Sequence, residues 1–161
     1  MEKFFVDPDI TQAETLPPIF YKSQEIFERL KETVFLKTWQ WVGDSASTVP
    51  LDETVHPFVM LPDFLHEPLL LVRDKESEVK CLSNVCTHRG NLVASNPGKM
   101  KSLTCMYHGR QFDLAGNFKH MPEFSKAKNF PRPCEGLREF SIKDMCGHLF
   151  VSLDPYFDFS E

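Results

Sequence analysis

Two short cysteine–histidine segments constrain this chain more than anything else in it. The first reads Cys86-Thr87-His88-Arg89-Gly90 and the second Cys105-Met106-Tyr107-His108-Gly109, with sixteen residues between His88 and Cys105. Each segment offers one thiolate and one imidazole. A fold that turns the two segments toward each other therefore assembles a four-ligand site from side chains far apart in the chain.

Two kinds of centre use two Cys and two His. One is a single tetrahedral zinc ion; the other is a [2Fe–2S] cluster in which one iron takes both thiolates and the other both imidazoles. Zinc modules usually present a Cys-x2–4-Cys knuckle and a separate His pair, whereas the order here is Cys, His, Cys, His with a one-residue gap in the first segment. The spacing favours the cluster, with Cys86, His88, Cys105 and His108 as its ligands. Gly90 and Gly109 close the two segments, where a residue without Cβ is expected to let backbone N–H groups approach the cluster sulfides.

The 161 residues have the size of one domain and can bury a core unaided. A charged fraction of 25% beside 42% hydrophobic residues excludes a disordered chain. Fifteen Phe and twelve Pro lean toward short strands and frequent turns. A net charge of -5 excludes nucleic acid and an anionic membrane surface as partners, since both require a basic footprint. The N-terminus Met1-Glu2-Lys3-Phe4-Phe5-Val6-Asp7 has no signal-peptide run, and Leu69-Leu70-Leu71-Val72 is far short of a membrane span. The expected location is the cytoplasm. Five cysteines cannot all pair within one chain, and Cys81, Cys134 and Cys146 are expected as reduced structural thiols packed as small hydrophobes.

Residues Ser23 to Thr38 read as a helix, with Ile26, Phe27, Leu30, Val34 and Phe35 at three- and four-residue steps and Ser23 as N-cap. Leu16-Pro17-Pro18 reads as an extended lead-in. Strands are expected at 58–61, 69–73, 79–82, 103–105, 111–114 and 148–153, with hairpin tips at Asp74-Lys75-Glu76-Ser77 and Leu114-Ala115-Gly116-Asn117. These elements divide the chain into an N-terminal extension, 1–43, holding the helix and a first strand, and a cluster-binding domain, 44–161.

Together these segments resemble the N-terminal part of the α subunit of ring-hydroxylating (Rieske non-haem iron) oxygenases. The resemblance runs through Leu16-Pro17 to Tyr21, Phe35-Leu36-Lys37-Thr38-Trp39, Val72-Arg73-Asp74, Asn84-Val85-Cys86-Thr87-His88-Arg89-Gly90, Tyr107-His108-Gly109-Arg110-Gln111-Phe112 and Gly147 to Asp154. It implies a mainly β fold of three stacked antiparallel sheets with two cluster-binding hairpin loops, plus the N-terminal helix. Members of that family commonly carry Trp where Arg110 stands, so the packing over the cluster, or the subunit contact made there, is expected to differ. Asn91 and Tyr107 stand where respiratory and photosynthetic Rieske proteins place an additional cysteine pair, which sets this chain apart from them.

The resemblance also implies a role. The chain would take one electron from a reductase or ferredoxin and hand it to a mononuclear iron in an oxygenase domain, of the dioxygenase or monooxygenase kind. His108, with Tyr107 beside it, would face that acceptor in a neighbouring subunit of a homo-oligomer. Arg89 would donate to the cluster surroundings, anchor the interface through a salt bridge or stand as a solvated surface charge, and Phe112 would pack the hairpin below. His56, His66, His120 and His148 show no pairing with acids suited to a two-His, one-carboxylate iron site, so the catalytic domain is expected to be absent and the chain alone should hydroxylate nothing. Two other readings are a self-standing Rieske ferredoxin-type carrier and a zinc-stabilised binding domain. The helix and Trp39-Gln40-Trp41 favour the oxygenase module, since a minimal carrier has no need of them.

Overall fold

The run Leu69-Leu70-Leu71-Val72 is the key to the layering, because all four side chains are fully buried. Side chains alternate across a strand, so such a run needs a core on each face. Leu69 and Leu71 join Val49, Met60, Cys81, Phe140, Leu149 and Val151 on one side. Leu70 and Val72 join Val55, Leu82, Leu103, Phe112 and Leu114 on the other, together with Cys86 and Cys105.

The structure, a computed structural model, describes residues 4–155. In chain order it contains helices α1 (Pro18–Lys22) and α2 (Gln24–Leu30), a π-helical turn Lys31–Phe35, strand β1 (Gln40–Asp44), helix α3 (Ser45–Thr48), then β2 (Thr54–Met60), β3 (Glu67–Arg73), β4 (Val79–Ser83), β5 (Gly98–Lys99), β6 (Leu103–Thr104), β7 (Gln111–Phe112), β8 (Phe118–His120), a 3-10 turn Pro133–Glu135, β9 (Glu139–Met145) and β10 (His148–Ser152). Seven strands form one antiparallel sheet in the order β1-β10-β9-β4-β3-β2-β5, and β6-β7-β8 form a second. The two cores split the larger sheet into two layers. The β1-β10-β9 arm covers one face of the β4-β3-β2 arm, and the small sheet covers the other. The three-layered, mainly β architecture expected from the sequence is the one observed.

β4 and β9 are antiparallel neighbours, with Cys81 opposite Phe140 and Leu82 opposite Glu139. The Ser83 N–H donates to the Arg138 carbonyl at 2.8 Å. The stretch between, which carries both cysteine–histidine loops, leaves the sheet after β4 and returns at the neighbouring β9, touching it on the way only through the two residues of β5 on β2.

The expected helix is present but divided. Ser23 caps α2, its hydroxyl accepting the Ile26 N–H at 3.4 Å. From Lys31 the chain widens into the π turn, which rotates less per residue than an α turn and so returns Phe35 to the side of Phe27. Both rings pack edge-on against Phe64, at 4.9 and 4.7 Å. The Asp154 N–H donates to the Leu36 carbonyl at 2.9 Å, tying the end of the helical segment to the strand after β10. Pro18 is not extended, as the sequence suggested, but opens α1, where its missing N–H costs nothing.

Both anticipated hairpin tips are turns closed by an aspartate. Asp74 Oδ1 accepts the N–H groups of Glu76 and Glu78 at 3.0 Å, and Asp113 Oδ1 accepts those of Ala115 and Asn117 at 3.1 and 2.8 Å. β1 straddles the expected boundary at residue 43 and pairs with β10. Cys81 is buried in β4 as expected, and burial pushes its thiol well above the usual range. Cys134 and Cys146 instead lie exposed in turns, so they pack against no core. Among the described residues no helix is long and apolar enough to cross a membrane.

Candidate metal centre

The two loops fold by one backbone rule. In the first, the Cys86 N–H donates to the Asn91 carbonyl at 2.8 Å and the Gly90 N–H to the Cys86 carbonyl at 3.0 Å. In the second, the Cys105 N–H donates to the Arg110 carbonyl at 2.8 Å and the Gly109 N–H to the Cys105 carbonyl at 2.9 Å. Each loop turns at its glycine with φ of +72° or +73°, a conformation that glycine alone enters without strain. The glycines' own N–H groups serve the cysteine carbonyls, which leaves the neighbouring N–H groups free for sulfur. The N–H groups that reach sulfur belong to His88, toward Cys86, and to Tyr107 and His108, toward Cys105.

Like is paired with like at the tip. Cys86 and Cys105 are 3% and 2% exposed and lie in one buried cluster, where each thiol shifts the titration of the other. The His88 and His108 rings meet edge-on, centroids 4.8 Å apart. Among the described residues no three His, Cys, Asp or Glu side chains gather as a single-ion site. A sulfur pair beside a nitrogen pair is the division that two irons require and one tetrahedral zinc does not.

His88 Nδ1 is buried and has no hydrogen-bond partner among the described residues. Leaving a buried polar atom so costs about 1–3 kcal/mol, and a metal ion would satisfy it. Burial, then the charges of His108, Arg110 and Arg89, hold the His88 imidazole below its ordinary range. It is neutral at pH 7, the form that binds metal. Burial raises the Cys86 thiol. Burial also works on Cys105, but donation from the Tyr107 N–H, the Cys86 thiol, the Asn91 amide and the His108 N–H outweighs it and holds that thiol below the ordinary range. The residues present thus suit a [2Fe–2S] cluster.

Around the tip, Tyr107 is 58% exposed and its ring stacks on His108 with centroids 3.8 Å apart. Met106 is 87% exposed, and Arg89 also lies on the surface. Phe112 is fully buried in the core beneath both cysteines, as expected. Arg110 is buried as well. Its Nη1 donates to Thr87 Oγ1 at 2.6 Å and its Nη2 to Glu135 Oε2 at 2.9 Å. The sequence assigns no role to Asn84, Glu135 or Arg132. Asn84 is buried and pins the first loop, donating to the Ala94 carbonyl at 2.8 Å and accepting the N–H groups of Val93 and Ala94 at 3.1 and 2.9 Å. For Glu135 the one available signal was Arg110 itself, a charge in an aromatic position that calls for a partner.

A three-layered β domain with paired thiols and paired imidazoles on two matched loops defines an iron–sulfur protein of the Rieske kind. Residues 38–131 match the Rieske [2Fe-2S] domain family, and the chain belongs to it; its cofactor is the Rieske-type [2Fe–2S] cluster. The carnitine monooxygenase oxygenase subunit of Escherichia coli (strain K12) is 32% identical over 155 residues, which take in 96% of this chain and 40% of that protein. The biphenyl dioxygenase α subunit of Paraburkholderia xenovorans (strain LB400) is 30% identical over 108 residues, 66% of this chain and 22% of that one. A quaternary ammonium Rieske monooxygenase, solved in complex with L-carnitine, matches with a TM-score of 0.81 and 26% identity over 91% of this chain and 40% of that chain. The chain corresponds to the N-terminal part of Rieske oxygenase α subunits and spans about two fifths of the carnitine monooxygenase it matches.

Proposed function

We propose that this chain is the electron-transfer module of a Rieske oxygenase, with Cys86 and Cys105 binding one iron and His88 and His108 the other. When bound, the cluster supplies one-electron chemistry at a single site. The observation that carries this reading is the like-with-like pairing of the thiols and the imidazoles, with His88 Nδ1 buried and unpartnered between the loops.

The chain's own residues do the rest. Asn91, Tyr107 and His108 aim donors at Cys105 and so favour its thiolate. Leu70, Leu103, Phe112 and Leu114 keep water from the inner side. His108 lies at the outer side under the exposed Tyr107 ring, where a partner can approach it. On this reading a reductase or ferredoxin delivers the electron, and a mononuclear iron in an oxygenase domain, in the same or a neighbouring subunit, receives it. That oxygenase would be of the carnitine monooxygenase kind, since such relatives align along nearly the whole chain at 32% and 30% identity, above the 28% and 25% of the methanesulfonate and choline monooxygenases that align almost as fully.

The test is analytical and spectroscopic. Purified protein should be red-brown, contain iron and acid-labile sulfide in equal amounts, and give an EPR signal on reduction with dithionite. Cys86→Ala and His88→Ala should each abolish that signal. A colourless protein holding one zinc would overturn the reading.

A further inference from the structure

Arg110 and Glu135 are 2% and 3% exposed and form a buried ion pair beside the metal loops. The guanidinium lies against the rings of Phe118 and Phe130, 5.3 and 5.6 Å from their centroids. Thr87, which accepts from Arg110, passes its own hydroxyl hydrogen to the Glu135 carbonyl at 2.7 Å. The second carboxylate oxygen of Glu135 accepts from Arg132 Nε at 2.8 Å. Thr87 stands between Cys86 and His88, and Arg110 follows His108 by two residues, so a single guanidinium joins both metal loops.

A tie between loops does not require charge. Buried ion pairs replaced by apolar groups of similar volume are often neutral or stabilising. What a buried cation supplies and an apolar group does not is an electrostatic potential that the protein interior screens less than water does. One-electron reduction adds a negative charge to the centre. A nearby cation favours the reduced form and a nearby anion opposes it.

We propose that Arg110 and Glu135 are positioning residues that set the reduction potential of the centre, Arg110 raising it and Glu135 lowering it; this rests on the ligand assignment proposed above. The geometry gives the pair its asymmetry. Arg110 bonds Thr87 directly between two ligand residues, while the Glu135 carboxylate is reached through Arg110. Arg132 and Arg110 together hold the Glu135 carboxyl below its usual range despite burial, so it meets the guanidinium as a carboxylate.

The experiment is a redox titration of the loaded chain, with dithionite as electron source, followed by EPR or visible absorption, and with iron and sulfide assayed for each variant. Arg110→Met should lower the midpoint potential, Glu135→Gln should raise it, and the double variant should return toward the wild-type value. Arg110→Lys, which keeps the charge, should recover most of the fall. A shift of both single variants in the same direction, or no shift in either, would overturn the proposal. If Arg110→Met cannot retain iron, the sign obtained with the near-isosteric Glu135→Gln decides alone. Loss of iron from Glu135→Gln as well would also overturn it, since the pair would then hold the loops together and not tune them. Wild-type protein without iron and sulfide would refute the ligand assignment itself, an outcome distinct from any of these.

Discussion

Asn91 and Arg110 hold corresponding places in the two metal loops: each lies five residues beyond a cysteine, and each carbonyl accepts that cysteine's N–H at 2.8 Å. Their side chains then cross in opposite directions. The Asn91 amide reaches Cys105 Sγ at 3.8 Å and Arg110 reaches Thr87 Oγ1 at 2.6 Å. Each loop is thus braced by a side chain that the other contributes, through the same backbone position.

The glycines that make these loops possible differ in surroundings. A Cβ on Gly90 would meet no atom within 4 Å, whereas on Gly109 it would lie 3.1 Å from Pro122 Cγ. Gly90→Ala should cost about 1–2 kcal/mol from left-handed backbone strain alone. Gly109→Ala should cost more. Urea unfolding of the loaded variants measures both, and equal losses would contradict the contact with Pro122.

Asn84→Ala removes three hydrogen bonds from a buried site. The stranded Ala94 carbonyl and N–H groups should cost about 2–3 kcal/mol, read as a lower urea midpoint. Because Asn84 stands two residues before Cys86, iron should also leave this variant faster when a chelator is added.

Leu70 and Leu71 face opposite cores. Truncating either to Ala should cost about 2–5 kcal/mol. Only Leu70 shares its core with Cys86 and Cys105, so Leu70→Ala should alter the visible circular dichroism of the centre. Leu71→Ala should leave that spectrum as it is.

Acid should expose the Glu135 contribution. Donation from Arg132 first, then from Arg110, lowers its folded-state pKa against the opposing effect of burial. A depressed carboxyl contributes stability that is fully present above its unfolded value, about 4.3, and is lost as pH falls through the folded value. The stability difference between wild type and Glu135→Gln should therefore hold steady from pH 7 to pH 5 and change in favour of the variant below about pH 4.3. A difference that stays constant down to pH 3 would show that the carboxyl is not depressed.

Much of the architecture was legible because it is written in local patterns. The Leu69–Val72 run, the Asp-initiated turns and the Ser23 cap each depend on residues within a few positions of one another. β9 escaped notice because Glu139, Lys143 and Asp144 interrupt its alternation. Its place in the sheet is fixed by two flanking partners, β10 and β4, and not by its own composition. β5 and β8 are two and three residues long, too short to carry a period. At the metal centre, the four ligand candidates and Tyr107 stand out in the sequence by type and spacing. The Arg110–Glu135 pair spans 25 residues, and an acid in a Pro-Cys-Glu-Gly turn reads as a solvated surface charge until the fold buries it.

Because Ser83 and Arg138 meet across a backbone hydrogen bond, the metal-bearing stretch hangs from the sheet like a pendant on a closed clasp. Chimeras that trade this stretch between related chains would keep the sheet's threading but would have to match the β2–β5 pairing and the core in which Leu103, Phe112 and Leu114 meet Val55, Leu70 and Val72. The tip can therefore be exchanged as one piece only together with the core face on which it rests.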